Sequence, residues 1–437
     1  MSSSKKFKFF RDPIHGYIEV DEGFLGIIDS PIFQRLRRIK QLAFCDLVYH
    51  GAEHSRFGHS LGTYHLASIL ADKFGIKGNI RNEFRLAALL HDIGHPPLSH
   101  AFESALESAY NGSGHENYTE SLILHSEIGD KIDDLGLDKN TVAKLIRGRY
   151  VDQPRFGYLN DLISSELDVD RLDFLFRDSY YCGVPYGRYD LERLLLSLDR
   201  KRGEVVVQEK GRHAVESFVL SRFYMYTQVY THHTRRAFDV MLKAIFTKDF
   251  IKRIGYPKHT AQKINELIHF DDNWLLSKVE KISGSEVGTQ ATIAKCLVKR
   301  EHIRPVIEKI AYADVESKAV DPIFTTIDAL ESFKNELATE IGIQPDLIFF
   351  DRPWKDLPFE RKYRQYYSSK EEEGRAIKML LRDGKVMDVA SDISSLAYHI
   401  SKKLAQVIRV YTVKEKRDEL GKAMVQRHPE LKGFLIK

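Results

Sequence analysis

The sequence predicts a mainly α-helical protein with a few short β-hairpins. Apolar residues recur at helical spacing along most of the chain, whereas runs that alternate in the manner of strands are rare and short. The length of 437 residues and the hydrophobic fraction of 43% provide enough apolar side chains for a large core, and they favour two or three domains.

The predicted elements follow the apolar spacing. Helical spacing marks the segments 24–28, 33–42, 61–74, 84–90, 163–180, 191–198, 214–244 and 260–267. The triplet Asp29-Ser30-Pro31 separates the first two segments as a break and a helix cap. Strand-like alternation and adjacent turn residues mark the segments 17–20, 204–208, 347–350 and 385–389.

Breaks at 255–257 and 342–345 suggest two of the three boundaries in a division into four parts. We expect an N-terminal segment over 1–50, a core over 51–250, a helical region over 251–340 and a C-terminal α+β lobe over 341–437. Almost all residues with recognisable chemistry precede residue 250.

Composition limits the classes of partner. The chain has 66 Lys and Arg against 62 Asp and Glu, so its net charge of +4 does not favour a membrane or nucleic-acid partner, although a local nucleic-acid site stays open. The three cysteines are widely spaced, which is typical of a reduced compartment. No apolar run approaches the ~18 residues of a spanning helix, and no signal peptide is recognisable. We therefore expect a cytoplasmic protein that does not bind membranes.

Histidine is concentrated in one part of the chain. Eight of the 18 histidines lie between His50 and His115, and the densest stretch reads LLHDIGHPPLSH over 89–100. A helix should bring His91 and Asp92 to its end, where an imidazole and a carboxylate can bind a divalent cation together. The loop that follows can aim His95 and His100 at a substrate. Other histidines in this stretch, including His65, can equally be packed or surface residues.

An acidic cluster follows at 168–178. On a helix, Asp170, Phe174 and Asp178 share one face, and burying two carboxylates there requires a metal or a base. The alternative is an exposed acidic stripe with Arg171 and Arg177 as its ion-pair partners.

These residues together resemble a known family. His59, the pair His91-Asp92 and Asp170 reproduce the H…HD…D pattern of the HD-domain phosphohydrolases. The segments 12–19, 33–42, 55–62, 91–100, 168–171 and 177–184 are similar to the dNTP triphosphohydrolases related to the mammalian SAM-and-HD-domain protein. The similarity runs over 8–241, with a fainter echo at 408–411, and we expect no SAM domain before the core.

The resemblance implies a fold, a reaction and a set of roles. It implies an HD phosphohydrolase core over 51–250 and metal-dependent hydrolysis of dNTPs to a deoxynucleoside and inorganic triphosphate. The implied ligands of a divalent metal (Mg, Mn, Fe or Zn) are His59, His91, Asp92 and Asp170. The implied catalytic residues are His95, His100, Glu103 and His115. The implied substrate-binding residues are Gln41, Leu42, Arg56, Arg171, Phe174, Asp178, Arg222 and Tyr230.

Two of these roles are specific, and three residues depart from the family pattern. We expect His100 to protonate the leaving 5′-oxygen, and we expect Tyr230 to exclude a ribose 2′-hydroxyl unless it is simply a core tyrosine. Glu103 replaces an Asp and Arg171 replaces a Lys. Phe174 replaces a Tyr, so recognition of the 3′-hydroxyl should be looser.

The resemblance also implies regulation. Lys8, Asp29, Gln34 and Arg37 match a site between subunits at which dGTP or GTP activates a homotetramer, although Arg11 stands where Asn is usual. Each residue has a simpler interpretation: Asp29 can cap the helix before Pro31, and Gln34 and Arg37 can be ordinary surface residues.

Two other functions stay open at this point. One is a different HD phosphohydrolase, acting on a nucleoside monophosphate, a cyclic nucleotide or a nucleic-acid phosphoester. The other is a non-catalytic nucleotide or nucleic-acid binding protein on the same scaffold.

Overall fold

The computed structural model describes residues 7–110, 114–148, 157–284, 288–301, 303–314, 326, 329–353, 377–401 and 403–436. Its α-helices, α1 to α19 in chain order, are Glu22–Ile28, Pro31–Gln34, Arg56–Lys73, Asn79–Leu90, His100–Ala109, His115–His125, Glu127–Asp134, Lys139–Ile146, Gly157–Ile163, Val169–Cys182, Leu191–Ser197, Arg212–Tyr224, His233–Ile245, Lys248–Arg253, Asp272–Ser283, Thr289–Val298, Lys334–Ile341, Leu396–Ser401 and Arg417–Arg427. Its strands, β1 to β9, are Phe7–Asp12, Gly16–Asp21, Leu198–Lys201, Glu204–Gln208, Arg304–Asp314, Ile348–Asp351, Lys378–Leu380, Val386–Asp388 and Lys403–Thr412. Helices clearly outnumber strands, which confirms the predicted fold class.

The chain divides into two compact units, each built from three segments. The first unit comprises Met1–Met225, Lys248–Leu275 and Arg375–Ser395, and the second comprises Tyr226–Thr247, Leu276–Gly374 and Leu396–Lys437. The four-part division drawn from the sequence stays a prediction. Among the described residues, every helix is too short or too polar to cross a membrane.

The first unit contains a helical core and two small sheets. Strands β1 and β2 form an antiparallel hairpin, and the other sheet has the order β3-β4-β7-β8, in which β4 and β7 are parallel. Helix α3 packs against both α4 and α10. Helix α10 begins where the Asp168 carboxylate accepts the Arg171 backbone N–H at 2.8 Å, and it ends at Gly183, whose φ of 69° suits glycine. These three helices position His59 on α3, Asp170 on α10, and His91 and Asp92 directly after α4.

The second unit combines helices with one antiparallel sheet. Its antiparallel sheet has the order β5-β9-β6, and helices α17 and α19 contribute to the apolar core on it. Core side chains from the sheet include Ile307, Ile348 and Ile408, and those from the helices include Leu337 and Leu420. Strand β5 lies in the region 251–340, so that region is not purely helical. Strands β5 and β9 are longer than the short strands that the sequence indicated.

Several predicted helices are shorter than their apolar spacing indicates. The segment 33–42 is helical only to Arg38, because Lys40 then pairs with Ser55 as an isolated β-bridge. The segment 214–244 is interrupted by a π-helix over Met225–Tyr230, after which the His232 side chain caps α13. The segment 163–180 splits between α9 and α10. Only the first of these ends depends on a residue distant in sequence, and periodicity does not reveal such a pairing.

Candidate active site

The four predicted metal ligands converge in the first unit. His59 lies on α3, His91 and Asp92 follow α4, and Asp170 lies on the first turn of α10. The Nε2 atom of His59 is 3.0 Å from Asp170 Oδ1 and 3.2 Å from His91 Nε2. The Asp92 carboxylate lies 3.3 Å from His91 Nε2 and 3.6 Å from His59 Nε2. Three of these residues, His59, His91 and Asp170, present donor atoms close enough to hold one ion.

The orientation of the two imidazoles fits a cation. His91 Nδ1 lies 2.8 Å from the Ala88 carbonyl oxygen, which can only accept, so this nitrogen carries a proton. His59 Nδ1 similarly lies 2.8 Å from Asp173 Oδ2. In the neutral rings the lone pairs are then on the facing Nε2 atoms, where a bound cation would take the place of the proton that His59 Nε2 otherwise shares with Asp170 Oδ1. Imidazole nitrogens and carboxylates together suit Mg, Mn, Fe or Zn, so the residues fit a divalent metal ion.

Electrostatics keeps the cluster attractive to cations. Burial opposes ionisation of Asp92, but the Arg56 guanidinium and the neighbouring histidines hold its pKa well below the usual range. Burial also opposes ionisation of Asp170, and hydrogen bonds from His59 and His91 lower its pKa nevertheless. At His59 burial opposes protonation, yet hydrogen bonds with Asp170 and Asp173 raise its pKa to about 10. The Asp92 and Asp170 carboxylates are therefore ionised, and together they attract a cation.

The four predicted catalytic residues form a second group beside the first. Glu103 accepts hydrogen bonds from His100 Nδ1 and from His115 Nδ1, both at 2.6 Å. The rings of His95 and His115 stack with centroids 3.9 Å apart, and His95 Nε2 is 3.2 Å from Asp92 Oδ1. This group could also hold an ion. The hydrogen bonds to Glu103 already engage both Nδ1 atoms, which favours a role in proton transfer.

The second group contains opposite charges and one neutral ring. Burial opposes protonation of His115, but the Glu103 carboxylate outweighs it and raises the pKa of His115 to about 9. Burial likewise opposes ionisation of Glu103, whose pKa His115 and His100 hold well below the usual range. Burial, Arg56 and His115 all lower the pKa of His95. Near neutral pH, a His115–Glu103 ion pair therefore lies against a neutral His95.

The predicted phosphate-binding arginines are all paired with acids. Arg56 is buried, donates to Asp92 and donates to Ser99 Oγ at 2.7 Å, so it connects a predicted metal ligand to the residue before His100. Arg222 donates to Glu166, and Arg171 Nη2 lies 3.8 Å from the same carboxylate. Arg171 also donates to Asp168, at the start of its own helix.

Two of the predicted sugar-binding residues, Gln41 and Asp178, contact His54. Its Nε2 atom donates to Asp178 Oδ1 at 2.7 Å, and its carbonyl accepts the Gln41 backbone N–H at 2.9 Å. Leu42 follows Gln41 directly, and the Phe174 ring lies 6.5 Å from the His59 ring, between centroids. The structure thus brings Gln41 and Asp178 onto one histidine, which is not among the predicted site residues.

Tyr230 is the last residue of the π-helix, in the second unit. Its ring packs edge to face on Tyr226 at 5.0 Å, and its carbonyl accepts a hydrogen bond from Arg235. Its contact with a sugar stays a prediction.

The residues predicted to bind an activator lie on the surface. Lys8, Asp29 and Arg37 are exposed, and Gln34 is half-buried. The Gln34 amide donates to the Ile28 carbonyl at 2.8 Å, and Arg37 Nε donates to the Gln34 amide oxygen at 2.8 Å. The Arg37 guanidinium also covers the Phe57 ring at 3.5 Å.

The alternative role of Asp29, as the cap of the helix before Pro31, is wrong. Ser30 is that cap, because its hydroxyl accepts the Phe33 N–H at 3.4 Å. Asp29 instead ends α1, where its backbone N–H donates to the Leu25 carbonyl.

One buried network was missed by sequence reasoning. Asp173 is fully buried, accepts from His15 Nε2 at 2.6 Å and from His59 Nδ1 at 2.8 Å, and pairs with Arg177. Arg177 in turn lies 2.9 Å from Asp12 Oδ2. The exposed acidic stripe considered for this helix is therefore wrong, because Asp168, Asp173 and Asp178 are all buried. The sequence did contain a signal for this network. Asp173 follows the predicted ligand Asp170 by three residues on the same helix, and its apolar neighbours Leu172 and Phe174 indicate a buried position.

Comparisons with known proteins agree with this site. Residues 56–173 match the HD domain, and residues 189–427 match the HD-associated region. A Bacillus subtilis protein described as the uncharacterized protein YwfO is 31% identical over 93% of this chain and 92% of its own length. A Dictyostelium discoideum protein named deoxynucleoside triphosphate triphosphohydrolase SAMHD1 homolog is 30% identical, over 78% of this chain and 65% of its own length.

A solved structure shows the same fold over nearly the whole chain. The crystal structure of a hypothetical protein from Aquifex aeolicus superimposes with a TM-score of 0.71 at 27% identity, and covers 95% of this chain and 99% of its own. The matched HD domain contains His59, His91, Asp92 and Asp170, all four predicted metal ligands. The chain belongs to the family of HD-domain phosphohydrolases, with the HD-associated region following its HD domain.

Proposed function

We propose that this protein hydrolyses deoxynucleoside triphosphates to the deoxynucleoside and inorganic triphosphate, with a divalent metal ion as cofactor. The observation that carries the proposal is the convergence of His59, His91, Asp92 and Asp170 beside His95, His100, Glu103 and His115. The similarity to a relative named as a dNTP triphosphohydrolase supports the choice of substrate.

The reaction replaces one phosphorus–oxygen bond by another. Water oxygen bonds to the α-phosphorus, the bond from that phosphorus to the 5′-oxygen breaks, and the 5′-oxygen takes a proton. A bound divalent ion would supply Lewis-acid stabilisation of the charge that develops on the phosphate oxygens. The products are a deoxynucleoside and a triphosphate that has gained the water oxygen.

The second group of residues is suited to supply the proton. Glu103 accepts from His100 Nδ1 and so leaves Nε2 as the atom that can release a proton to the leaving oxygen. The His100 side chain is 65% exposed, so it is accessible to a substrate from solution. Glu103 also accepts from His115, which fixes its carboxylate and thereby orients His100. His95, kept neutral by its surroundings, has its one N–H on Nε2 beside Asp92 Oδ1 and so adds no second buried positive charge next to His115.

Substrate binding needs positive charge and a sugar pocket. A triphosphate carries about four negative charges, which Arg56, Arg171 and Arg222 would share with the metal. Gln41 and Asp178, joined through His54, would bind the deoxyribose, and the ring of Tyr230 would exclude a 2′-hydroxyl. Phe174 offers no hydrogen bond to the 3′-hydroxyl. We further propose that dGTP or GTP at Lys8, Asp29, Gln34 and Arg37 activates a homotetramer.

One observation favours a second candidate, a different HD phosphohydrolase. Glu166 pairs with Arg222 and lies near Arg171, so the charge available for a triphosphate is already partly neutralised. A substrate with a single phosphate would need fewer cations.

Product analysis tests the proposal. The purified protein is incubated with Mn²⁺ or Mg²⁺ and each dNTP, NTP and dNMP, with and without dGTP, and products are separated by ion-exchange chromatography. We expect inorganic triphosphate and deoxynucleoside from dNTPs, with NTPs cleaved much more slowly. Release of only orthophosphate, or turnover confined to monophosphates, would contradict the proposal, and binding without turnover would point to a non-catalytic nucleotide-binding protein.

A further inference from the structure

Two irregular segments carry much of the proposed chemistry. One follows the helical turn Arg35–Arg38 and leads through Lys40 to Gln41, and the other leads from His95 through Leu98 to His100. Neither segment has the repeating hydrogen bonds of a helix or sheet. Their relative position must therefore be fixed by other contacts.

A single buried carboxylate binds the backbone of both segments. Asp272, at the start of α15, accepts the Leu98 N–H at 2.7 Å through Oδ1 and the Lys40 N–H at 2.9 Å through Oδ2. The Asp272 residue is only 5% exposed. Each carboxylate oxygen thus binds one segment. The Leu98 and Lys40 amides are therefore held close together, because both bind the same carboxylate.

The second segment needs such support because its backbone is strained. Leu98 and Ser99 have φ values of 51° and 52°, a left-handed conformation that residues with a side chain rarely adopt. Such strain persists only where the surroundings determine the conformation. The Ser99 hydroxyl donates to the Lys40 carbonyl at 2.9 Å and accepts from Arg56, which ties the strained turn to the first segment again.

A buried cation holds the same loop from its other end. Arg35 is fully buried and donates to the carbonyls of Ile93 at 3.3 Å, His95 at 2.5 Å and Phe270 at 2.7 Å. The segment 270–272 thus supports the loop that contains His95 and Leu98 in two ways. The Asp272 carboxylate binds the Leu98 N–H directly, and the Phe270 carbonyl binds Arg35, which in turn binds the His95 carbonyl.

We propose that Asp272 is a positioning residue that holds the sugar-binding segment at Gln41 and the proton-donating segment at His95 and His100 in the geometry needed for hydrolysis. It touches neither the metal ligands nor the reacting atoms, and it acts through two backbone amides. The kinetic part of this proposal rests on the proposed function.

The Asp272→Asn variant isolates this role. An asparagine amide has one oxygen, so it can accept from one segment only, and its NH₂ group then faces the N–H of the other segment. Asp271→Asn is the matched control. Asp271 is adjacent, pairs with Arg38 and accepts the Trp274 N–H at 3.0 Å, and it contacts neither segment.

The test combines kinetics, metal content and hydrogen exchange. With the dNTP that the wild type hydrolyses fastest, we expect Asp272→Asn to lose about tenfold or more in kcat, because small misplacements of reacting groups are costly. Metal per chain should be unchanged, and Asp271→Asn should stay within about twofold of the wild type. Peptides spanning Lys40 and Leu98 should both exchange faster in Asp272→Asn but not in the control.

Hydrogen exchange separates this proposal from the proposed function. If the wild type releases no triphosphate, the function is wrong, but faster exchange in both peptides would still support the role of Asp272 in holding the segments. Unchanged exchange, or a wild-type kcat in folded Asp272→Asn, would overturn it. If Asp272→Asn does not fold, Asp272→Glu keeps the charge but moves the carboxylate by one methylene, and a wild-type kcat there would equally overturn it.

Discussion

Asp173 Oδ2 lies 2.8 Å from Nδ1 of His59, on the side of the imidazole opposite the proposed metal. A carboxylate in this place fixes the ring orientation and makes the other nitrogen a better ligand. We expect Asp173→Asn to weaken binding of Mn²⁺ by about 10–100-fold, measured by calorimetry or metal analysis after dialysis. Asp178→Asn, on the same helix but bonded to His54, is the control and should retain metal. Wild-type affinity in Asp173→Asn would remove this carboxylate from the metal site.

Gly62 on α3 makes room for that carboxylate. A Cβ atom at this position would lie 1.9 Å from Asp173 Oδ1 and 2.5 Å from Arg177 Nη2. Asp173 cannot retreat without losing its bonds to His15 and His59, so we expect Gly62→Ala to lower the free energy of unfolding by about 1–3 kcal/mol. Chemical denaturation measures this change.

The same helix offers the control for Gly62. A Cβ at Gly58 would lie 3.5 Å from Arg177 Nη1, an ordinary contact. Gly58→Ala should therefore be neutral, or more stable by up to about 1 kcal/mol, because alanine favours the helix. Equal stability of the two variants would show that the Asp173 network adapts to an added methyl group.

The Glu103–His115 pair should make stability depend on pH. Since Glu103 raises the pKa of His115 to about 9, its stabilisation is fully present below the unfolded value of roughly 6.5 and is lost as pH rises through about 9. The pKa of Glu103 is lowered in the folded protein, so the pH dependence has the opposite sign at acidic pH. The stabilisation by the ionised Glu103 is present above its unfolded pKa of roughly 4.3, and it is lost as the pH falls below that value.

Glu103→Gln tests this dependence through the melting temperature. The variant should melt below the wild type between about pH 5 and 8, and the difference should shrink above about pH 9. Glu107→Gln, one turn further along α5, controls for loss of a carboxylate. A deficit in Glu103→Gln that is equally large at pH 7 and pH 10 would argue against the ion pair.

Local sequence was a good guide to the metal cluster. His91 and Asp92 are adjacent, and the helix that ends before Gly94 and Pro96 brings both to the site. The helical spacing of the segment 168–178 similarly predicted a helix with Asp170 on it. These features depend on residues close together in the chain, where periodicity and helix-breaking residues are informative.

The supporting contacts could not be predicted in the same way. Asp272 and Leu98 are 174 residues apart, and Arg222 and Glu166 are 56 apart, so only the folded chain reveals these pairs. The end of the helix after Arg38 likewise depends on Lys40 pairing with Ser55 and donating to Asp272. Strands β5 and β9 pair along their lengths although about 90 residues separate them in the sequence. Patterns within a short stretch of sequence therefore cannot reveal this pairing.

The Arg222–Glu166 ion pair leads to opposite expectations for two variants. If Arg222 binds the triphosphate, Arg222→Ala should lower kcat/KM for a dNTP about tenfold or more, since a hydrogen bond to a charged group is lost. Glu166→Ala should lower KM, because it frees the guanidinium for the substrate. Steady-state kinetics and melting temperatures of both variants decide the matter. Equal losses of stability with unchanged kinetics in both would make the pair purely structural.

The resemblance of Asp29, Gln34 and Arg37 to the family's activator site leads us to predict activation by a guanine nucleotide. The exposed Asp29 carboxylate can accept from guanine N1–H and the 2-amino group, and Arg37, which lies on Phe57, can donate to O6, which adenine lacks. A nucleotide that binds better to the assembled state shifts the population toward it, and assembly must then tighten nucleotide binding by the same factor.

We expect dGTP to raise dATP turnover and to convert smaller species to tetramers, measured by product release and light scattering. Asp29→Ala should abolish both responses and retain metal, whereas Glu22→Ala, which removes an exposed carboxylate from the same helix, should retain both. A monomer whose dATP turnover ignores dGTP would contradict the prediction, and so would an undiminished dGTP response in Asp29→Ala.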